Sequence, residues 1–244
     1  MSTLPMAQPV LYEGWGELIL SRPERKNALI GPMVADLQSG LATLLSGGAK
    51  AVVLRGAQGV FCSGLDVDAF AEDPAPAWRA SWPTDWADWH KTLYRCPAVI
   101  ICALEKYAIN AGASMALAAD LMVAGENATL LVGEAALGML APMNIAWLRL
   151  RTSEAVAAQL TLGARRTSAA DLHRLGLAFE VVPDDQTAAR ACELAATLGG
   201  YRGQALAGIK AALRAGRSDG GEAVFDAVQS TGFVSAAPGR VAKT

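Results

Sequence analysis

Histidine and charged side chains are scarce in this sequence of 244 residues. Only two histidines are present, and charged residues make up 18% of the chain. A catalytic triad or a metal site built on histidine is therefore poorly supplied, and we expect no metal. The formal net charge is −2 at pH 7, and no block of like charge exceeds three residues. This composition argues against nucleic acid or a membrane surface as the main partner.

Several common signatures are also missing. The sequence has no GxxxxGK[ST] loop, no GxGxxG after a strand and no GxSxG elbow. Its four cysteines show no CxxC or metal-ligand spacing, which is typical of reduced thiols in a cytosolic protein. The apolar run 115–125 is interrupted by Asp120 and is too short to span a bilayer. The first twenty residues lack a cationic segment followed by an apolar one, so we expect no signal peptide and a cytoplasmic location.

What the sequence has in abundance is apolar residues, at 52% of the chain, enough for a large buried core. Strands are predicted within 10–20 and at 51–56, 98–104, 121–125 and 128–133, and helices at 32–45, from about 66, at 86–95 and at 113–120. Beyond 150 the apolar spacing is helical, with glycines and prolines between segments. The order of segments predicts a layered α/β core followed by a C-terminal helical region.

Two junctions between a buried strand and a helix carry the first functional signal. They are VVLRGAQGVFCSGLDV (52–67) and AVIICALEKYAINAGASMALAAD (98–120). The start of a helix exposes backbone N–H groups, and the helix dipole adds partial positive charge there. Two such junctions that converge on one oxygen would form an oxyanion hole. Taken singly, each is more often an ordinary tight turn.

Glu134 carries the second signal, because it follows an apolar strand and precedes small residues in VGEAALGMLAP (132–142). A carboxylate among apolar neighbours tends to have a raised pKa, which suits a general acid or base. The alternative is a glutamate that caps a helix or forms a salt bridge.

Four segments together resemble the crotonase superfamily, the enoyl-CoA hydratases and isomerases. They are RPERKNAL (22–29), FCSGLDV (61–67), YAINAGASMALAAD (107–120) and GEAALGMLAP (133–142). The resemblance implies a crotonase-like spiral of repeated ββα units over residues 1–190. It also implies a C-terminal helical trimerisation region over 191–244, and hence a homotrimer or a dimer of trimers.

The resemblance also assigns site residues. Backbone N–H groups of Leu65 and Ala111 would form the oxyanion hole, and Glu134 would be the acid/base. The substrate would be an acyl-CoA, with coenzyme A as part of the substrate and no separate cofactor. The residues that would contact CoA are Arg22 and Lys26 at its phosphates, Ala28 at the pantetheine or adenine region, and Ser63, Leu65, Asp66, Val67 and Asp68 along its path.

The sequence departs from the family pattern at Ser114, where hydratases carry the first of two glutamates. Hydratases use both carboxylates on one water, so the single glutamate favours the 3-enoyl-CoA to 2-enoyl-CoA isomerases of the superfamily. Hydration with Ser114 orienting water, thioester hydrolysis and a catalytically silent acyl-CoA-binding or assembly protein remain alternatives. Glu105 and Lys106 replace a common Asn-Gly, and we expect Glu105 to form an ion pair with Lys106 or another base.

Four of the six tryptophans lie within 77–94, which the family places near the acyl-chain pocket. Trp82, Trp86 and Trp89 could narrow that pocket or cover it as a lid. Packing of a surface helix against the body or a neighbouring subunit is an equal alternative.

Overall fold

The computed structural model describes residues 5–215 and 220–231. The strands are β1 Ala7–Leu11, β2 Trp15–Leu20, β3 Ala51–Gly56, β4 Val99–Leu104, β5 Tyr107–Ile109, β6 Leu121–Gly125, β7 Thr129–Leu131, β8 Thr167–Ser168 and β9 Glu180–Val182. The helices are α1 Gly31–Ser46, α2 Val67–Phe70, α3 Trp82–Arg95, α4 Ala111–Ala118, α5 Pro142–Arg151, α6 Glu154–Leu162, α7 Ala169–Arg174, α8 Thr187–Gly199, α9 Gly203–Arg214 and α10 Ala223–Gln229. The alternation of strands and helices confirms the predicted α/β class.

The strands form two sheets. The larger has the order β1-β2-β3-β4-β6-β9, in which β1 and β2 are antiparallel and the other pairs are parallel. The smaller has the order β5-β7-β8. Strands β3 and β4 are covered on both faces, which explains their nearly unbroken apolar sequences. The short β5 and β7 are parallel neighbours, so the segments that follow them emerge side by side.

Helices cover both faces of the larger sheet. The main core includes the apolar sides of α1, α3, α4 and α5, and a second, smaller core forms where Ala191 and Ala195 of α8 meet Val53 and Ile101. A domain boundary at 190 would therefore cut α8, which is part of the sheet's packing. The trimerisation role of 191–244 stays a prediction, and 216–219 and 232–244 lie outside the described residues. None of the described helices is long and apolar enough to cross a membrane.

Several elements differ from the predicted ones. Helix α3 begins at Trp82 rather than at 86, because Pro83 lies in its first turn, where a missing N–H has no cost. Helix α5, with Pro142 as its first residue, was not predicted. Strands β5, β8 and β9 were also missed, since two or three residues give too little periodicity to recognise.

Candidate active site

The two strand-to-helix junctions lie against each other. The Ile109 N–H donates to the Cys62 carbonyl at 3.1 Å, which joins the end of β5 to the loop before α2. Gly64 has a φ of +96°, and a Cβ there would lie 2.9 Å from the Ile109 carbonyl oxygen. Glycine is thus required both by its backbone conformation and by the close approach. The contact brings the segment that contains Leu65 next to the start of α4.

Leu65 and Ala111 carry backbone N–H groups that have no backbone acceptor among the described residues. Leu65 forms an isolated β-bridge with Leu29, but its two hydrogen bonds are made by the neighbours of Leu65. The Leu29 N–H donates to the Gly64 carbonyl at 2.8 Å, and the Asp66 N–H donates to the Leu29 carbonyl at 3.0 Å. Within residues 5–215 and 220–231, the Leu65 N–H donates to no backbone carbonyl. Ala111 is the first residue of α4, so its N–H has no acceptor within the helix. Two backbone donors are therefore available at adjacent segments.

Asn110 connects the start of α4 to the loop that carries Glu134. Its N–H donates to the Leu131 carbonyl at 2.7 Å, and its side-chain Oδ1 accepts the Gly133 N–H at 2.8 Å. Its backbone has φ 51° and ψ −112°, a conformation that favours glycine and is strained for other residues. The side-chain bond to Gly133 is something glycine could not provide, and it offsets part of that strain.

Glu134 begins a short 3-10 turn and is buried, with 7% of its surface exposed. Its Oε1 accepts a hydrogen bond from Asn144 Nδ2 at 3.0 Å, whereas Oε2 is buried and has no hydrogen-bond partner among the described residues. Burial raises the pKa of this carboxyl to about 7, against the opposing effects of its own backbone and of Asn144. A carboxyl with this pKa can accept and return a proton near neutral pH. Among the described residues, the Glu134 side chain forms no salt bridge and no helix cap, so neither alternative explains why this glutamate is buried.

Ser114 is fully buried and its hydrogen bonds are already made. Its Oγ donates to the Ala111 carbonyl at 2.8 Å and lies 3.2 Å from Nε2 of His90. Trp147 Nε1–H donates to His90 Nδ1 at 2.8 Å. Since indole nitrogen only donates, His90 must carry its proton on Nε2 and donate it to Ser114. Burial lowers the pKa of His90 to about 3, so the imidazole is neutral.

The aromatic side chains of α3 are packed inside the chain. Trp82 and Trp86 stack with ring centroids 5.2 Å apart, and Trp86 meets His90 edge-on at 4.5 Å. Trp89 is fully buried in the main core. These contacts are those of a helix packed against the body of the protein. A role of Trp82, Trp86 and Trp89 in the acyl-chain pocket stays a prediction.

The predicted CoA-contacting residues lie together, at the meeting of the loop 22–28 and the segment 63–68. The Ser63 N–H donates to the Lys26 carbonyl at 3.1 Å. Lys26 is exposed, whereas Ala28 is buried. Val67 and Asp68 are exposed at the start of α2. Their contact with CoA stays a prediction.

Arg22 and Asp66 are engaged with each other, which the sequence did not indicate. Asp66 is buried and bonds Arg22 at 2.9 Å and Arg25 at 2.8 Å. The hydrogen bond from Arg25 is the main reason that the pKa of Asp66 falls to about 2. Arg22 also donates to the Ala28 carbonyl. The pair thus fixes the loop 22–28 onto the segment 63–68. Arg25 and Lys26 of that loop are both exposed, and among the described residues Lys26 is the one of them without an ion pair.

Glu105 takes no part in the cluster around Glu134. Burial raises the pKa of its carboxyl, and Arg55, rather than Lys106, is the base whose charge opposes that rise. Oε2 of Glu105 is buried and has no hydrogen-bond partner among the described residues. The expected ion pair of Glu105 with Lys106 or another base is therefore not formed among the described residues.

Asn144, His90 and Trp147 were missed as site residues. Asn144 and Trp147 lie on α5, whose existence was not predicted, and both are buried. His90 falls on the same buried stripe of α3 as Trp82 and Trp86, which lie eight and four residues earlier. That spacing could have indicated a buried histidine, but not its partner.

The raised pKa of Glu134 makes a prediction about stability. The pKa of this carboxyl is about 7 in the folded protein and 4.5 in the unfolded chain, so its ionisation favours the unfolded chain. This destabilising effect is absent below pH 4.5 and grows as the pH rises to 7. The shift corresponds to roughly 3 kcal/mol. Glu134→Gln removes this effect. We therefore expect the difference in free energy of unfolding between Glu134→Gln and wild type to be about 1–3 kcal/mol more favourable to the variant at pH 8 than at pH 4.5.

Urea unfolding of both proteins at the two pH values measures this difference. Glu126→Gln, at an exposed carboxylate, serves as the control and should show no such change with pH. An equal effect of Glu134→Gln at both pH values would contradict the assignment of the raised pKa.

Comparison with known proteins agrees with this arrangement. Residues 12–234 match the enoyl-CoA hydratase/isomerase family. The chain is 31% identical to a probable enoyl-CoA hydratase of Rhodobacter capsulatus, over 86% of this chain and 81% of that protein. It is also 31% identical to the 1,2-epoxyphenylacetyl-CoA isomerase of Escherichia coli, over 73% and 70% of the two chains.

A solved structure shows the same fold. A putative enoyl-CoA hydratase from Thermobifida fusca, in complex with CoA, superimposes with a TM-score of 0.78 at 28% identity, over 92% of this chain and 91% of that one. The fold is thus the crotonase fold that the sequence predicted. This chain belongs to the enoyl-CoA hydratase/isomerase family.

Proposed function

We propose that this protein isomerises a 3-enoyl-CoA to a 2-enoyl-CoA, with Glu134 as its single acid/base. The observation that carries this proposal is the pairing of one buried carboxylate, whose pKa lies near 7, with a Ser114 whose hydroxyl hydrogen and one lone pair are already engaged. The N–H groups of Leu65 and Ala111 would bind the thioester oxygen. The T. fusca relative in complex with CoA supports an acyl-CoA as the ligand.

The proposed reaction needs no group beyond these. Glu134 Oε2 takes a proton from C2, and the electrons of that C–H bond pass into a dienolate whose oxygen is held by the two N–H groups. The same carboxyl then returns the proton to C4, which leaves the double bond between C2 and C3. Stabilisation of the developing oxyanion is essential, because a single such donor is worth roughly 10²–10³ in rate.

Hydration is the second candidate, favoured by the name of the R. capsulatus relative. It requires a second group to hold and activate water beside Glu134. Ser114 donates its proton to the Ala111 carbonyl and accepts one from His90, so it offers a water no hydrogen and at most one lone pair. The contacts therefore favour the proton shuttle. A cytoplasmic homotrimer, or a dimer of trimers, remains part of the proposal.

Product analysis separates these candidates. With a 3-enoyl-CoA in deuterated water we expect the 2-enoyl-CoA, and with a 2-enoyl-CoA we expect little or no 3-hydroxyacyl-CoA. Rapid formation of the hydroxy product would establish hydration instead. If neither forms, exchange of the C2 proton of a saturated acyl-CoA decides whether the site is active; binding without exchange would show a catalytically silent protein.

A further inference from the structure

The amide of Asn144 lies between the two halves of the site and contacts both. It is 2% exposed, and its Nδ2 donates at 3.0 Å to Glu134 Oε1 and at 3.0 Å to the Asn110 carbonyl. One amide nitrogen has two hydrogens, so both bonds can form at once. Oδ1 is buried without a hydrogen-bond partner among the described residues. If the Asn144 amide were rotated by 180°, Oδ1 would face two acceptor oxygens, those of Glu134 and Asn110. The orientation with Nδ2 towards these oxygens is therefore the favourable one.

The Asn110 carbonyl belongs to the same peptide group as the Ala111 N–H. It accepts hydrogen bonds from Asn144 Nδ2 and from the Ser114 N–H at 3.1 Å. Donation to a carbonyl polarises its peptide and strengthens the hydrogen bond made by the N–H on the other side, by roughly 10–30% per bond. The Ala111 N–H is therefore a better oxyanion donor while Asn144 is in place.

At Glu134 the same amide distinguishes the two carboxylate oxygens. Oε1 is held by Asn144 and Oε2 is left without a partner, which makes Oε2 the oxygen available to a substrate proton. A hydrogen bond donated to the ionised carboxylate also stabilises it against protonation. Asn144 thus affects both where the base accepts its proton and at what pH it does so.

We propose that Asn144 is a positioning residue that couples the general base to the oxyanion hole. One side chain orients Glu134 Oε2 and at the same time polarises the Ala111 N–H, so losing it weakens both. This rests on the proposed function for its effect on turnover. Its effect on Glu134 itself does not, since that can be measured without any substrate.

Among the described residues, no charged group is a cause of the pKa shift of Glu134. Burial, the backbone of Glu134 and Asn144 are the causes of its pKa shift. The nearby helices carry Arg149 and Arg151 in the last turn of α5 and Glu154 in the first turn of α6, and none contributes to that shift. Helix α4 contains no charged residue.

Asn144→Leu tests the proposal, because it keeps similar volume and removes both donors. Glu134 is titrated in the substrate-free protein by infrared difference spectroscopy, with Glu134→Gln subtracted to isolate its carboxyl band. In Asn144→Leu we expect the midpoint of the Glu134 titration to rise by about one pH unit relative to wild type. We also expect C2 exchange of an acyl-CoA, measured at pH 9 where the carboxylate is ionised, to slow about tenfold with little change in KM.

Two further variants make the outcome decisive. Met143→Leu, an apolar change at the neighbouring buried position of α5, should leave both readouts unchanged. Asn144→Ser, which keeps one short donor, should give a smaller rise in the midpoint and serves if the leucine variant does not fold. An unmoved Glu134 midpoint in a folded Asn144 variant overturns the proposal, even if stability falls. If the wild type shows no exchange while the midpoint moves, the proposed reaction fails and the link between Asn144 and Glu134 stands.

Discussion

Replacement of Glu134 by glutamine should lower kcat for 3-enoyl-CoA isomerisation by about 10³–10⁴-fold. Glutamine has the same shape and can still accept the Asn144 hydrogen bond through its carbonyl oxygen. It cannot take a proton from C2, and no other carboxylate contacts the cluster formed by Asn110, Ser114 and Asn144 among the described residues. The binding of CoA should change little, because the loop 22–28 is untouched.

The rate is followed by the ultraviolet absorbance of the conjugated 2-enoyl thioester, and CoA binding by calorimetry. Glu126→Gln controls for the loss of a carboxylate as such and should retain wild-type rates. Residual isomerisation above one tenth of wild type in Glu134→Gln would rule out a single-glutamate shuttle. In that case Glu105, which is half-buried and whose carboxyl has a raised pKa, would be the next group to replace.

The two junctions could be predicted from the sequence because a helix start exposes backbone N–H groups wherever it occurs. The choice of Leu65 and Ala111 within them came from the family resemblance, and their role as oxyanion donors stays a prediction. Glu134 could be predicted as buried because its neighbours are apolar. These features involve only residues close together in the chain.

The side-chain partners could not be predicted, because they come from elements far apart in sequence. Asn144 reaches Glu134 and Asn110 from α5, and His90 reaches Ser114 from α3. Nothing in the sequence near Ser114 indicates that its hydroxyl will be engaged by a neutral histidine. Likewise, nothing in the sequence of the basic loop indicates that Arg22 forms an ion pair with Asp66. Tertiary packing decided each of these.

Loss of one N–H from the proposed oxyanion hole should also lower kcat strongly, though less than loss of the Glu134 carboxylate. Leu65→Pro removes the N–H of Leu65, which makes no backbone bond among the described residues, while the flanking bonds of Gly64 and Asp66 to Leu29 remain possible. We expect kcat to fall roughly 10²–10³-fold, as for removal of a single oxyanion donor. Leu65→Ala keeps the N–H and loses only the side chain, so it should cost far less.

Proline also fixes φ, so the two effects must be separated. Thermal unfolding and CoA binding of Leu65→Pro show whether the loop keeps its structure. The pH at which Glu134 titrates, measured without substrate, should be the same in Leu65→Pro and wild type, because Leu65 makes no contribution to that pKa. A folded, CoA-binding proline variant whose kcat stays within threefold of the alanine variant would show that the Leu65 N–H does not hold the oxyanion. A large loss of kcat in Leu65→Pro but not in Leu65→Ala, with the Glu134 titration unchanged, would show that the Leu65 N–H stabilises the transition state and does not act through the base.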